Sequence, residues 1–122
     1  MWTNALFSFF FLPLAPAAAP GRLTGQNDTS TSVSVSWQAL PKAARNGIII
    51  TYTLYYRVQG TTGQKSMKQT SALNARITCL SIFTKYAISV SASTSAGEGP
   101  DSDDIIIRTG EASKLTECEL FW

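Results

Sequence analysis

One stretch of the chain, residues 80–100 with the sequence LSIFTKYAISVSASTSAGEGP, constrains the fold more than any other. Leu80 precedes Tyr86 by six residues, the run YAISVSA alternates strictly, and the glycine-rich turn AGEGP follows. Alternation with a period of two places every second side chain on one face of a β-strand, and glycines give a tight turn its backbone freedom. The stretch contains no nucleophile paired with a base, no metal-ligand cluster and no phosphate-binding loop. It therefore predicts a β-sandwich that serves recognition and not catalysis.

Composition limits the chain to one globular domain and narrows its chemistry. The 122 residues suffice for one domain with short extensions, and 44% hydrophobic with 15% charged residues is typical of a folded chain. A net charge of +2 is too small to indicate a nucleic-acid partner. The chain has no histidine, so it lacks the commonest general base and the commonest nitrogen ligand of zinc. We predict no enzyme activity, no catalytic residue, no cofactor and no metal site.

The N-terminal residues predict secretion. Residues 5–14, ALFSFFFLPL, form an apolar run of the length found in signal peptides and too short to span a membrane. Ala15 and Ala17 then supply the small residues of an A-x-A cleavage site. We interpret residues 1–19 as a signal peptide or, alternatively, as a disordered leader. Asn27-Asp28-Thr29 is an N-x-S/T acceptor, so Asn27 is a candidate N-glycosylation site.

Three further segments predict β-strands. The segment TSVSVSWQ alternates so that Trp37 shares the inward face with two valines. The run IIITYTLYYRV, residues 48–58, is rich in β-branched and aromatic residues, and its parity sends Tyr52 inward and Tyr55 outward. The polar segment GTTGQKSMKQTSA predicts a turn followed by an edge strand, whose Lys65 and Lys68 discourage pairing with another edge.

These motifs, in this order, resemble the fibronectin type III family over residues 20–110. Trp37 matches the family's second-strand tryptophan, NGIIITYTLYY matches its third strand with Tyr52 as the inward tyrosine, and Leu80 and Tyr86 have the family's six-residue offset. The turn AGEGP and the segment IIIRTG match the last loop and the last strand. The resemblance implies an all-β, seven-stranded antiparallel immunoglobulin-like β-sandwich. In it, Tyr86 is expected to form a tyrosine corner, with its ring on the core and its hydroxyl hydrogen-bonded to upstream backbone.

The resemblance also implies a function. Modules of this family in cell-adhesion molecules and receptor-type tyrosine phosphatases present loops and sheet faces to protein partners. We therefore expect a non-catalytic extracellular module that binds an unidentified protein partner or acts as a spacer, and that is monomeric in isolation. The candidate contacts are loop residues, namely Arg45, Asn46, Glu98 and Asp101. Two alternatives remain open: an intracellular spacer of a muscle-type filament protein, and an accessory domain of a secreted carbohydrate-active enzyme.

The C-terminal residues and the two cysteines complete the expectations. Residues 111–122 carry no strong structural pattern and are expected to form a disordered tail. Cys79 and Cys118 either form one disulfide bond or remain apart, with Cys79 as a partly buried thiol and Cys118 free or paired outside this chain.

Overall fold

Strands account for most of the regular structure in the computed structural model, which describes residues 14–111. Their alternating, β-branched sequences favour this conformation, since such side chains fit a pleated, half-buried surface. The elements of the described residues are β1 Gly21–Thr29, β2 Ser32–Gln38, α1 Lys42–Arg45, β3 Thr51–Val58, β4 Ser66–Thr70, β5 Asn74–Ile77, β6 Lys85–Thr94, β7 Gly97–Glu98 and β8 Ile105–Arg108.

The strands form two antiparallel sheets. The first sheet has the order β1-β2-β5, and the second has the order β4-β3-β6, with both β7 and β8 pairing with β6. β4 is an exposed edge strand, as its lysine-containing sequence predicts. The predicted immunoglobulin-like β-sandwich is confirmed. Besides the strands that the sequence motifs indicate, the structure contains β1, β5 and the two-residue β7, which bring the described strands to eight.

The core lies between the two sheets and is filled by alternating side chains. Trp37 at the end of β2 is 4% exposed, and its ring meets that of Tyr52 edge to face, with the centroids 5.6 Å apart. Along β6, all residues from Tyr86 to Ala92 are buried, and Ile88, Val90 and Ala92 on the inward face are each 0% exposed. The buried hydrophobic residues are Leu23, Val33, Val35, Trp37, Leu40, Tyr52, Leu54, Ile77, Leu80, Tyr86, Ala87, Ile88, Val90, Ala92 and Ile107.

A tyrosine corner closes the end of the sandwich at which β6 begins. The ring of Tyr86 is buried, and its hydroxyl oxygen accepts a hydrogen bond from the Ser81 backbone N–H at 2.8 Å. Leu80, also buried, donates its backbone N–H to the Thr31 carbonyl at 2.9 Å. Together these bonds fix the chain between β5 and β6 against the turn between β1 and β2.

Two details of the third strand differ from the sequence prediction. β3 begins at Thr51, so the run Ile48–Ile49–Ile50 precedes the strand and does not extend it. The preceding helix α1 ends at Arg45 and is followed by Asn46, whose backbone is left-handed with φ of 55°. This turn leaves the isoleucines in irregular backbone. At the other end, Val58 has the parity of the inward Tyr52 but is 37% exposed, because it is the last residue of the strand.

Cys79 lies in the segment between β5 and β6. It is exposed and disulfide-bonded, so it is not the partly buried thiol of the second alternative. Cys118, the other cysteine of the chain, lies outside the described residues, as do residues 1–13 of the expected leader and residues 112–122 of the expected tail. Within the described range, no helix has the length and apolar character needed to cross a lipid bilayer.

Candidate functional site

The loop that contains α1 and the loop that contains β7 lie at the same end of the second sheet. β3 and β6 are paired from Thr51 and Ser93 onward, and the backbone N–H of Ile50 donates to the Ser93 carbonyl at 2.8 Å. The chain before β3 and the chain after β6 therefore leave the sheet side by side. We call this end, residues 41–50 with residues 95–101, the loop pole. Rigid strands that present loops at one end are a common arrangement for binding.

Two of the four candidate contact residues lie in the first of the two loops of the loop pole, in or next to α1. Arg45 is half-buried, and its Nε donates to the Leu40 carbonyl at 2.8 Å, so part of its guanidinium stabilises the loop itself. Asn46 is exposed, and its side-chain Nδ2 donates to the Ala15 carbonyl at 3.2 Å. Asn46 is thus the more exposed of the two residues, and its side-chain amide binds the backbone of a different segment.

Glu98 is held against the second sheet and does not join Arg45 and Asn46. It belongs to β7, and its carboxylate accepts hydrogen bonds from the Tyr55 hydroxyl, at 2.5 Å, and from the Ser91 hydroxyl. Asp101 is exposed just beyond β7. The hydrogen bond to Glu98 is the main cause that raises the pKa of Tyr55 to about 12, and partial burial and the charges of Glu98 and Asp101 act in the same direction.

The loop pole exposes apolar residues that the sequence prediction assigned to a strand. Ile48 is 82% exposed and Ile50 is 55% exposed, whereas Ile49 between them packs against the core. Parity alone would place Ile48 and Ile50 inward with Tyr52. The turn signal Asn46-Gly47 directly before the run is the feature of the sequence that could have indicated a loop at this position.

The remaining candidate residues have structural positions away from the loop pole. Trp37, Tyr52, Leu80 and Tyr86 all belong to the hydrophobic core. Asn27 is exposed on β1, and the hydroxyl of Thr29, the third residue of its acceptor motif, accepts from the Thr31 backbone N–H at 3.2 Å. Residues 14–111 contain no group of three or more acidic, cysteine or histidine side chains that could hold a metal ion.

Two antiparallel sheets packed face to face, with loops at one end and a tyrosine corner at the other, define an immunoglobulin-like module. The chain belongs to the fibronectin type III family, since residues 18–108 match the family described as "Fibronectin type III domain". This confirms the resemblance that the sequence motifs indicate.

Known proteins similar to this chain carry the same module. Human phosphatidylinositol phosphatase PTPRQ is 38% identical over 108 residues, which cover 88% of this chain and 4% of that protein. Receptor-type tyrosine-protein phosphatase F of Danio rerio is 35% identical over 103 residues, which cover 80% of this chain and 5% of that protein. Among solved structures, the third fibronectin III domain of human KIAA0343 protein has a TM-score of 0.73 at 25% identity, covering 88% of this chain and 93% of that chain.

The chain spans about a twentieth of the length of these two phosphatases. The similarity therefore concerns one module and not the phosphatase activity that those names describe. The chain shares the β-sandwich with its relatives. Its binding properties depend on the side chains of its own loops and sheet faces.

Proposed function

We propose that this chain is a non-catalytic extracellular module that binds a protein partner through its loop pole. The observation that carries the proposal is the exposure of Ile48 and Ile50 beside the polar Asn46. Apolar side chains surrounded by polar groups are typical of protein-binding surfaces, and fully burying one such side chain contributes up to about 3 kcal/mol. Two exposed isoleucines in one loop are therefore a candidate centre for an interface.

The extracellular part of the proposal rests on two independent features. Relatives of this chain include a protein named as a receptor-type phosphatase and another named interleukin-31 receptor subunit alpha, which is 36% identical over 78 residues. The chain also has the apolar run and the A-x-A site of a signal peptide, followed by an acceptor motif at an exposed Asn27. We further infer that the isolated module is monomeric, with lysines protecting its β4 edge.

The test is a binding screen followed by a pair of matched substitutions. The full chain, tetramerised to raise avidity, is screened against an array of purified extracellular protein domains. Any partner found is then measured against Ile48→Asp and against Ile82→Asp. Ile82 is also exposed, at 46%, but lies at the opposite end of the second sheet, where β6 begins.

We expect Ile48→Asp to weaken binding at least about tenfold, because a charge at the centre of an interface is desolvated without a partner. Ile82→Asp should leave the affinity within about twofold, since residues outside an interface contribute little. Equal effects of the two changes would place the interface away from the loop pole. A screen without any saturable partner would favour a spacer role.

A further inference from the structure

A short N-terminal segment, residues 14–17 with the sequence LAPA, lies along the loop pole; we call it the strap. Its backbone N–H groups make two hydrogen bonds to the loop that contains α1. The N–H of Leu14 donates to the Asn46 carbonyl and the N–H of Ala17 donates to the Ala44 carbonyl, each at 2.8 Å. The backbone of the strap is therefore held beside that loop.

The carbonyl groups of the strap are bound as well. The Ala15 carbonyl accepts from the side-chain amide of Asn46 at 3.2 Å, and the Leu14 carbonyl accepts from the hydroxyl of Thr94 at 2.6 Å. Thr94 is 3% exposed and ends β6, so its hydroxyl is fixed by the sheet. All four bonds go to the backbone of the strap, which means that they do not depend on its side chains.

The side chain of Pro16 is the buried side chain of the strap. Pro16 is buried against Gly99, and a Cβ atom added at Gly99 would lie 2.8 Å from the Pro16 carbonyl oxygen and 2.9 Å from its Cβ. Such distances exclude any larger residue at position 99 while the strap is in place. At Gly97, an added Cβ atom would lie 3.9 Å from the Cβ of Ala15, which is an ordinary van der Waals contact. The strap thus fills a groove between residues 44–46 and residues 94–99, with Pro16 buried next to Gly99.

The strap directly precedes the match to the family model. The match to the family begins at residue 18, directly after the strap, and the A-x-A motif formed by Ala15 and Ala17 predicts cleavage at the same boundary. Removal of residues up to 17 would leave the family domain whole and would free Asn46, Thr94 and Gly99. The groove between the two loops is consequently separable from the segment that fills it.

We propose that this groove is a docking site for a short, proline-containing peptide segment of a protein partner, and that the strap occupies it in cis. The inference rests on the proposed function, since it names the chemistry of the segment that the loop pole recognises. Release of the strap, by cleavage after Ala17, opens the groove. While the strap is attached, it competes with any added peptide at an effective concentration on the order of millimolar.

The experiment uses the full ¹⁵N-labelled chain in three forms. The intact chain retains the strap. The strap-release variant, Leu14→Pro with Ala17→Pro, lacks the two N–H donors and keeps the groove. The third form adds Gly99→Val, whose side chain fills the position of the proline. The probe is the synthetic peptide acetyl-FLPLAPAA-amide, which copies residues 11–18, with a control peptide in which the proline corresponding to Pro16 is aspartate.

The strap-release variant should bind the peptide, with saturable shifts of the Asn46 side-chain amide and of the Thr94 and Gly99 backbone amides. The intact chain should bind at least about threefold more weakly, because the strap competes in cis. The Gly99→Val form and the control peptide should give no saturable shift. Equal affinity of the intact and strap-release chains, or shifts that do not depend on Gly99, would overturn the proposal.

A second measurement needs no variant. In the intact chain, the amide protons of Leu14 and Ala17 should be protected from hydrogen exchange, and a large excess of the peptide should remove that protection. Protection that the peptide leaves unchanged would count against the docking site. These results are independent of the ectodomain screen: loss of peptide binding would leave an Ile48-dependent partner intact, and a failed screen would leave the peptide shifts in place.

Discussion

The tyrosine corner allows the contribution of one hydroxyl to be separated from that of the ring that carries it. The Tyr86→Phe change removes the acceptor of the Ser81 N–H and leaves the ring in place. The Tyr86→Ala change also removes a ring that is only 6% exposed. The two substitutions therefore separate the contribution of the hydrogen bond from the contribution of the packed ring.

The two substitutions should lower the free energy of unfolding by amounts that differ about three- to fivefold. One hydrogen bond contributes about 1 kcal/mol net, so Tyr86→Phe should lower the free energy of unfolding by about that amount. Removal of a buried aromatic side chain typically costs about 3–5 kcal/mol, which sets the expectation for Tyr86→Ala. In a domain of this size, 1 kcal/mol corresponds to a shift in melting temperature of about 4–8 °C.

The assay is urea-induced unfolding followed by circular dichroism. The slope of the free energy of unfolding against urea concentration is compared between variants and should not change. Tyr55→Phe is the matched control, because it removes a hydroxyl that also forms a hydrogen bond, to Glu98, on the exposed surface. We expect that control to stay within about 0.5 kcal/mol of the parent. The reasoning would be refuted if Tyr86→Phe were as stable as the parent, or if it cost as much as Tyr86→Ala.

Three other measurements test separate parts of the structure. Ultraviolet titration should give Tyr55 a pKa of about 12, and Glu98→Gln should lower that pKa. Because the pKa of Tyr55 is raised in the folded state, the stability linked to its protonation is fully present below the unfolded pKa of about 10 and is lost between about pH 10 and 12. Gly25→Ala should cost about 1–3 kcal/mol in urea unfolding, since its Cβ would lie 2.7 Å from the Ser34 carbonyl oxygen, whereas Gly21→Ala should be neutral. Expression through a secretory pathway should add a glycan that Asn27→Gln abolishes, measured by intact mass.

Each of these has a clear contrary result. An unchanged tyrosine titration in Glu98→Gln would mean that the bond between Tyr55 and Glu98 does not form in solution. Equal stability of the two glycine variants would mean that β1 does not pack closely on β2 and β8 at position 25. A secreted chain whose mass shows no glycan would mean that Asn27 is not glycosylated.

The sequence predicted the scaffold well because its signals are local. Strand alternation, the buried parity of Trp37 and Tyr52, and the offset between Leu80 and Tyr86 each depend on neighbours along one segment. The prediction was wrong at Ile48–Ile50, because a β-branched run has the same composition in a strand and in an exposed loop. Only the left-handed Asn46 before the run, and the pairing that starts at Thr51, determine that the isoleucines are exposed.

The candidate site was predictable only in part, for the same physical reason. The two loops could be identified, but the direction of each side chain could not. Glu98 reaches across to Tyr55, forty-three positions away in sequence, and Arg45 turns back to Leu40. Such contacts depend on which strands are paired, and strand pairing joins residues that no local pattern relates.

The amino-acid sequence by itself determined the family, the strands that alternate clearly and the inward positions of Trp37, Tyr52 and Tyr86, because hydrophobic periodicity and turn residues act locally. Tertiary structure alone decided that Ile48 and Ile50 are exposed, that Glu98 belongs to a sheet face, and that residues 14–17 fill the groove between two loops. These facts arise from the convergence of segments distant in sequence, whose hydrogen bonds and close contacts exist only once the two sheets have packed.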